Sequence, residues 1–274
     1  GEARRWIFEQ MKKFLFLLFI LVHFGVKSAN LDSLFQSLKY RSSEIQLEAL
    51  DSVYKSFRYA DSADFVDFHR ERLTYHMCSN EGPVTGAGDL NGDGIEDIVI
   101  PGSKGETTVV YFGSSDGTFQ KSNPTEFERL KEAENTETLL FDADGDGDLD
   151  VFLSSGSVEL SPYSDLLFDR LFFNDGKGNF TLSEQKFPND QDRISTGVAI
   201  AADIDQDGDQ DLMISGEFMG LELFQNEAGK FSRLDQNPLI QEKGWWNKLH
   251  LVDIDQDGDL DIVEIGLARN CLYH

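Results

Sequence analysis

The chain has 274 residues, 40% of them hydrophobic, enough for one large domain or two small ones with a core. Its formal net charge is −26, from 50 acids against 24 Lys and Arg. Nucleic-acid binding rests on Lys and Arg at phosphates, so this balance argues against that partner. Two Cys are too few for a disulfide framework.

Residues 1–10, GEARRWIFEQ, do not begin with Met and are expected to be an upstream, non-native leader. Residues 11–28 read as a signal peptide: a basic Met11-Lys12-Lys13, then nine apolar residues from Phe14 to Val22, then Val26 and Ser28 as a small-residue cleavage pattern. The apolar run is shorter than the ~20 residues a membrane-crossing helix needs, so no transmembrane span is expected after cleavage. The alternative is an uncleaved signal anchor. Either way the expected location is outside the cell or on its surface.

Residues 29–80 form a lead-in segment. Leu31, Leu34, Phe35 and Leu38 have helical spacing, while Ile45, Leu47 and Ala49 alternate like a strand. The segment is expected to pack on the repeats C-terminal to it, or to donate a strand to them. Cys78 and Cys271 are most simply two unrelated buried thiols.

From residue 81 the chain repeats. Four nine-residue stretches recur: DLNGDGIED at 89–97, DADGDGDLD at 142–150, DIDQDGDQD at 203–211 and DIDQDGDLD at 253–261. Each places an acid or amide at positions 1, 3, 5 and 9 and Gly at position 6. They hold 19 of the 50 acids and no Lys or Arg. Two carboxylates about 4 Å apart repel by roughly 4 kcal/mol at an effective dielectric of 20, a penalty that a divalent cation removes. Calcium accepts six to eight oxygen ligands in tolerant geometry, whereas magnesium demands an octahedron and keeps its waters. About four Ca²⁺ sites are therefore expected. Their ligands are Asp89, Asn91, Asp93, the backbone oxygen of Ile95 and Asp97; Asp142, Asp144, Asp146, the backbone oxygen of Asp148 and Asp150; Asp203, Asp205, Asp207, the backbone oxygen of Asp209 and Asp211; and Asp253, Asp255, Asp257, the backbone oxygen of Asp259 and Asp261.

An EF-hand would carry a bidentate Glu at position 12 and flanking helices. Position 12 is Ile100, Leu153, Ile214 and Glu264, and the loops are followed by short apolar runs such as Ile98-Val99-Ile100 and Val151-Phe152-Leu153. Such runs suit strands. A second pattern follows each loop: VYFGSSDGTF from Val110, LFFNDGKGNF from Leu171 and LFQNEAGKF from Leu223, each a strand, a Gly-containing turn and a strand opening on Phe. About four strands per ~50 residues is the size of a propeller blade. The fold expected is all-β, a β-propeller with units at about 81–133, 134–194, 195–244 and 245–274. The fourth unit stops at Leu272-Tyr273-His274, one residue before the expected turn, so a C-terminally truncated ring is expected.

Unit two is longer than its neighbours by residues within 154–170, and insertions in repeat proteins map to loops on one face, often the binding face. Leu166, Leu167 and Phe168 there are otherwise an extension of the hairpin. Trp245 and Trp246 are adjacent, so in a strand one faces the core and the other is more exposed. The exposed ring is either a stacking platform for a sugar or a contributor to inter-blade packing.

These loops resemble the FG-GAP/VCBS repeat family, whose D-x-[DN]-x-D-G-x-x-D loop also occurs in integrin α-subunit propellers. Gly86-Ala87-Gly88 before Asp89 and Phe112-Gly113 partly echo the name motif, and Phe65 to Leu73, Ser79 to Pro83 and Gly244 to Asn247 are similar to secreted VCBS proteins related to the ASPIC/UnbV group. The resemblance implies a calcium-bearing propeller, secreted or on the surface of a Gram-negative bacterium. The function expected is a binding or adhesion module for an extracellular protein or carbohydrate. The alternative is a polysaccharide lyase or hydrolase on a propeller scaffold. The sequence offers no G-x-S-x-G, H-E-x-x-H or Cys/His arrangement for one.

Overall fold

Period-two runs that face solvent on one side and a neighbouring layer on the other must pair and then stack. In a computed structural model they do so as successive antiparallel meanders. The structure describes residues 83–156, 160–161, 163–188, 195–236, 238–257, 260–266 and 270–273. The leader, signal-peptide and lead-in readings and Cys78 lie outside them.

Strands β1 (Gly86–Gly88), β2 (Asp97–Ile100), β3 (Val109–Gly113) and β4 (Phe119–Ser122) form the first sheet, in chain order. Strands β5 (Asn135–Phe141), β6 (Asp150–Ser155), β7 (Arg170–Asn174) and β8 (Phe180–Leu182) form the second. The third comprises β9 (Thr196–Ala202), β10 (Asp211–Met219), β11 (Glu222–Glu227) and β12 (Lys230–Arg233), and β13 (Gly244–Val252), β14 (Asp261–Gly266) and β15 (Asn270–Tyr273) form the fourth. The end of β10 also pairs with the start of β13, Glu217 opposite Trp245 and Met219 opposite Gly244, with a register irregularity between. These sheets are the blades of a β-propeller. Each predicted hairpin is present as the third and fourth strands, and β15 pairs with β14 where the Leu272-Tyr273 match places it.

The first strands of successive blades lie side by side. Just ahead of β1, Val84 bridges Glu137 of β5 in parallel, with Val84 N donating to Thr136 O at 2.9 Å. The Glu137 carboxylate accepts the Ala199 amide of β9 at 2.8 Å. Every acidic loop joins the first strand of its blade to the second, so the loops gather at one end of the sheets and the β6–β7 and β10–β11 connections at the other.

Aromatic residues from the connectors are wedged between blades. Phe127, in the helical turn Thr125–Glu128, meets Phe172 edge-on at 4.5 Å and Phe180 at 5.1 Å. Phe187 is wedged in the same way in the next blade, against Phe152 at 5.5 Å and Phe224 at 5.2 Å. Both wedges are 2% exposed or less, and edge-to-face geometry adds about 0.5–1.5 kcal/mol per pair beyond burial. Polar clasps join the blades at the end away from the acidic loops. Thr196 Oγ1, opening β9, donates to buried Asp169 of blade two, whose Oδ1 also accepts the Ser155 amide. Burial holds the Asp169 carboxyl well above the usual carboxylate range.

The insertion in unit two does not lengthen the hairpin. Leu167 ends a 3-10 turn at Asp165–Leu167 and Phe168 follows it; they pack inward at 3% and 2% exposure, with Lys186 Nζ 4.8 Å from the Phe168 ring centre. Trp246 is buried and its indole donates to Met219 O at 3.0 Å, while Trp245 is half-buried.

Candidate metal centre

A chain that must turn tightly while presenting carboxylates uses its own amides to shape the loop. Asp142 Oδ1 accepts Gly145 N at 2.8 Å and its Oδ2 accepts Gly147 N at 3.0 Å. Asp144 Oδ1 takes Asp146 N, and Asp146 Oδ1 takes Asp148 N. The first and third loops repeat this: Asp89 takes Gly92 N and Gly94 N, Asn91 and Asp89 share Asp93 N, and Asp93 takes Ile95 N. Asp203 takes Asp207 N and Gly208 N, and Asp207 takes Asp209 N. In the fourth loop Asp255 takes Asp257 N; residues 258–259, including the Asp259 carbonyl, are outside the described set.

The Gly at position 6 has the conformation its turn requires, with φ of 80° at Gly94, 94° at Gly147 and 103° at Gly208. Position 4 is left-handed too, which the sequence reading missed: Gly92 and Gly145, but Gln206 and Gln256, both at φ 62°. A non-Gly residue in that region costs about 1–2 kcal/mol, offset to some extent by the unfolded-state freedom glycine adds. Gln206→Gly and Gln256→Gly are therefore expected to be neutral or stabilising by less than about 1 kcal/mol, whereas Gly147→Ala, with open space for its Cβ, destabilises through backbone strain alone. Urea unfolding of the three variants checks the contrast.

Carboxylate oxygens converge in three loops. One oxygen from each of Asp142, Asp144 and Asp146 lies within 4.8 Å of the others, and the same holds for Asp203, Asp205 and Asp211 and for Asp253, Asp255 and Asp261. The first loop, with Asn91 at position 3, brings Asp89 and Asn91 together over the Asp93 amide. Asp207 and Asp257 are not in their loops' convergent groups, nor is Asp150 in its own. Asp209 turns toward the hairpin, its Oδ2 accepting Ala228 N at 2.9 Å. Burial, then the neighbouring Asp146 and Asp142 charges, raises the Asp144 pKa.

Position 9 has a second role. Asp97 Oδ2 accepts Leu90 N at 2.9 Å and its Oδ1 accepts Gly113 N at 2.8 Å. Asp150 holds Ala143 N and Asn174 N, Asp211 holds Ile204 N and Asn226 N, and Asp261 holds Ile254 N. These carboxylates are 0–4% exposed, and Asp97, Asp150 and Asp211 tie the start of their loops to the far end of the strand that opens the hairpin. Burial pushes the Asp150 carboxyl up to about 6 despite its two amide donors.

Two residues outside the loops complete the scaffold. Asn174 Nδ2 donates to Leu90 O of the preceding blade at 2.8 Å and to Leu149 O at 3.0 Å; Asn226 Nδ2 donates to Ala143 O and Gln210 O at the same two distances. The first two loops are thus fastened to the next blade. The signal was present in the sequence as the Asn shared by LFFN and LFQN.

A donor set made only of hard oxygens, close-set and preshaped by backbone amides, fits a calcium-sized cation. No helix among the described residues is long and apolar enough to cross a membrane. Among solved structures, the chain is similar to an Agrocybe aegerita lectin described for specific recognition of non-reducing terminal N-acetylglucosamine, at 20% identity and a TM-score of 0.47. The alignment covers 68% of this chain and 47% of that one, so this chain spans about half of that protein's length. No curated protein sequence gives a match. The FG-GAP-like repeat model matches three times, over residues 89–153, 142–214 and 203–264, each match running from one acidic loop through the next. The chain belongs to the FG-GAP-like repeat family.

Proposed function

We propose that the protein is a calcium-stiffened β-propeller that works outside the cell or on its surface as a binding module for a protein or glycan. The observation that carries the metal half is the convergence of three carboxylates within 4.8 Å in each of three loops. Asp142, Asp144 and Asp146, Asp203, Asp205 and Asp211, Asp253, Asp255 and Asp261, and Asp89 with Asn91 and Asp93 would hold the ions. A bound divalent ion cancels the repulsion among these side chains and locks the link between first and second strands. Because the unfolded chain lacks the preformed site, ion binding contributes to folding stability.

The extracellular half is supported by the signal-peptide pattern of residues 11–28. The binding half is supported by the rigid, repeated scaffold. We favour it over a polysaccharide-active enzyme because the two carboxyls held highest, Asp169 and Glu137, already accept structural hydrogen bonds between blades.

A thermal melt in EDTA, then in Ca²⁺ or Mg²⁺, alongside a calcium titration, tests the reading. Each site held at a hundred times its Kd adds about 2.7 kcal/mol, so several sites raise Tm by roughly 10 °C or more. The expected result is a calcium-specific rise with about four ions bound. A folded protein that melts identically in EDTA and calcium overturns the metal assignment.

A further inference from the structure

At the end of the blades opposite the acidic loops, one aromatic side chain is held in solvent by a strained backbone. Phe218 is 55% exposed and has φ of 57°, a left-handed conformation rare for a bulky residue. It sits at the irregularity where β10 leaves its own blade to pair with β13, between Glu217 opposite Trp245 and Met219 opposite Gly244. The flanking backbone is pinned on both sides: Glu217 N donates to Ser195 O at 3.0 Å, and the Trp246 indole donates to Met219 O at 3.0 Å. The bulge thus re-aims one side chain, and that side chain meets the half-buried Trp245 edge-on, ring centres 5.2 Å apart at 64°.

Two unfavourable terms meet at residue 218. A Gly there would avoid the left-handed penalty, and a polar residue would avoid leaving a Phe ring in water. Strain that the surrounding fold over-determines, at an exposed ring, points to use of that ring. The other exposed aromatic among the described residues, Tyr163 at 85%, stands in the β6–β7 connection at this same end.

We propose that Phe218 and Trp245 form a stacking site for one ring of a neutral saccharide. This rests on the binding-module reading above and names its ligand class. Two rings in edge-to-face contact present adjoining aromatic carbon that the apolar C–H face of a pyranose would cover while its hydroxyls reach polar groups at the edge. Half-buried Glu217 precedes Phe218 and lies opposite Trp245, and exposed Asn247 is two residues beyond Trp245 in β13. A stable protein interface needs roughly 800 Å² on each partner, far more than this corner offers. Outside the acidic loops, which lie at the other end, acids still outnumber Lys and Arg by 31 to 24, a balance that disfavours uronate- or sulfate-bearing glycans and leaves the neutral class.

The test uses the full chain in calcium on an array of neutral hexose, N-acetylhexosamine and pentose oligosaccharides beside uronate- and sulfate-bearing ones, followed by calorimetric titration with the best neutral hit. The expected result is retention on neutral glycans. Phe218→Gly and Trp245→Ala should each weaken binding about tenfold or more, and Trp245→Phe by less than about threefold. Phe218→Gly is also expected to melt no lower than the parent, because it removes strain, a readout that a merely structural Phe218 would reverse. The site is overturned by undiminished binding in Phe218→Gly, by preference for anionic glycans, by binding to neither class, or by capture of a protein that the two variants retain. None of these outcomes touches the calcium melt, so the site and the metal reading fail separately.

Discussion

Replacing Asp150 with alanine is expected to destabilise the metal-free protein by roughly 2–5 kcal/mol, while replacing Asp146 with asparagine leaves it unchanged or slightly more stable. Both residues belong to the same acidic loop and both fit the same ligand pattern. Asp150 is fully buried, and its two oxygens are partners of Ala143 N and Asn174 N. Alanine leaves two buried donors unsatisfied, each worth about 1–3 kcal/mol, and opens a small void. Asp146 is exposed, and the oxygen it lends to Asp148 N survives in asparagine. What that change removes is a negative charge among like charges. Asp150→Asn should fall between, since its amide offers one acceptor where two are needed. Urea unfolding in EDTA measures the stabilities, and calcium titration supplies the second axis: Asp146→Asn loses affinity at one site with its metal-free stability intact. An Asp150→Ala variant within about 0.5 kcal/mol of the parent, the ordinary scatter of surface changes, would show that the clamp contributes nothing.

That contrast marks how far the sequence could be read. The loops were legible because oxygen ligands at alternating positions followed by Gly suit a hard cation and little else, and four copies fixed the period. The hairpins were legible because a Phe after a Gly-containing turn recurs downstream of each loop. From those two signals came the strand order and the blades. Position 9, however, looks the same in sequence whether its carboxylate faces a cation or two amides, and only the return of the hairpin shows that both Asp150 oxygens meet backbone. Gln206 and Gln256 hid a left-handed position that Gly92 and Gly145 advertise.

The features that were not legible depend on contacts between blades. Phe187 reads as one apolar residue before a Pro in a polar connector, yet it is 1% exposed against two neighbouring blades. Phe218 follows Ser215-Gly216-Glu217 in β10, a stretch with no local signal of a re-aimed side chain. Its re-aimed side chain arises where β10 changes partner from its own blade to β13, a pairing between segments far apart in the chain. Adjacent Trp245 and Trp246 did announce one buried and one more exposed ring, because strand geometry is local. The aromatic neighbour that completes the corner came from another blade.

Glu137 should contribute a separable part of the pH dependence of stability. Its side chain lies between first strands, with an oxygen on the Ala199 amide and the exposed Lys248 of β13 as the opposite charge that acts on it. Burial raises its pKa from 4.5 to about 7, outweighing the amide and the lysine, which both act to lower it. Between those two values the folded state holds a proton that the unfolded chain has released, so the unfolding free energy falls as pH rises through this window. At about 1.36 kcal/mol per unit, the loss is at most roughly 3 kcal/mol and is complete by about pH 8. Glu137→Gln keeps an acceptor for Ala199 N and removes the charge. It should match the parent below about pH 4.5, where both side chains are neutral, and exceed it by up to that amount at pH 8. Urea unfolding of both proteins at about pH 4.5, 6 and 8, in EDTA so that metal loading does not vary with pH, reads the difference directly. A difference that stays flat across the series would mean that Glu137 titrates as a solvated carboxylate, and that the Ala199 amide and Lys248 together offset its burial.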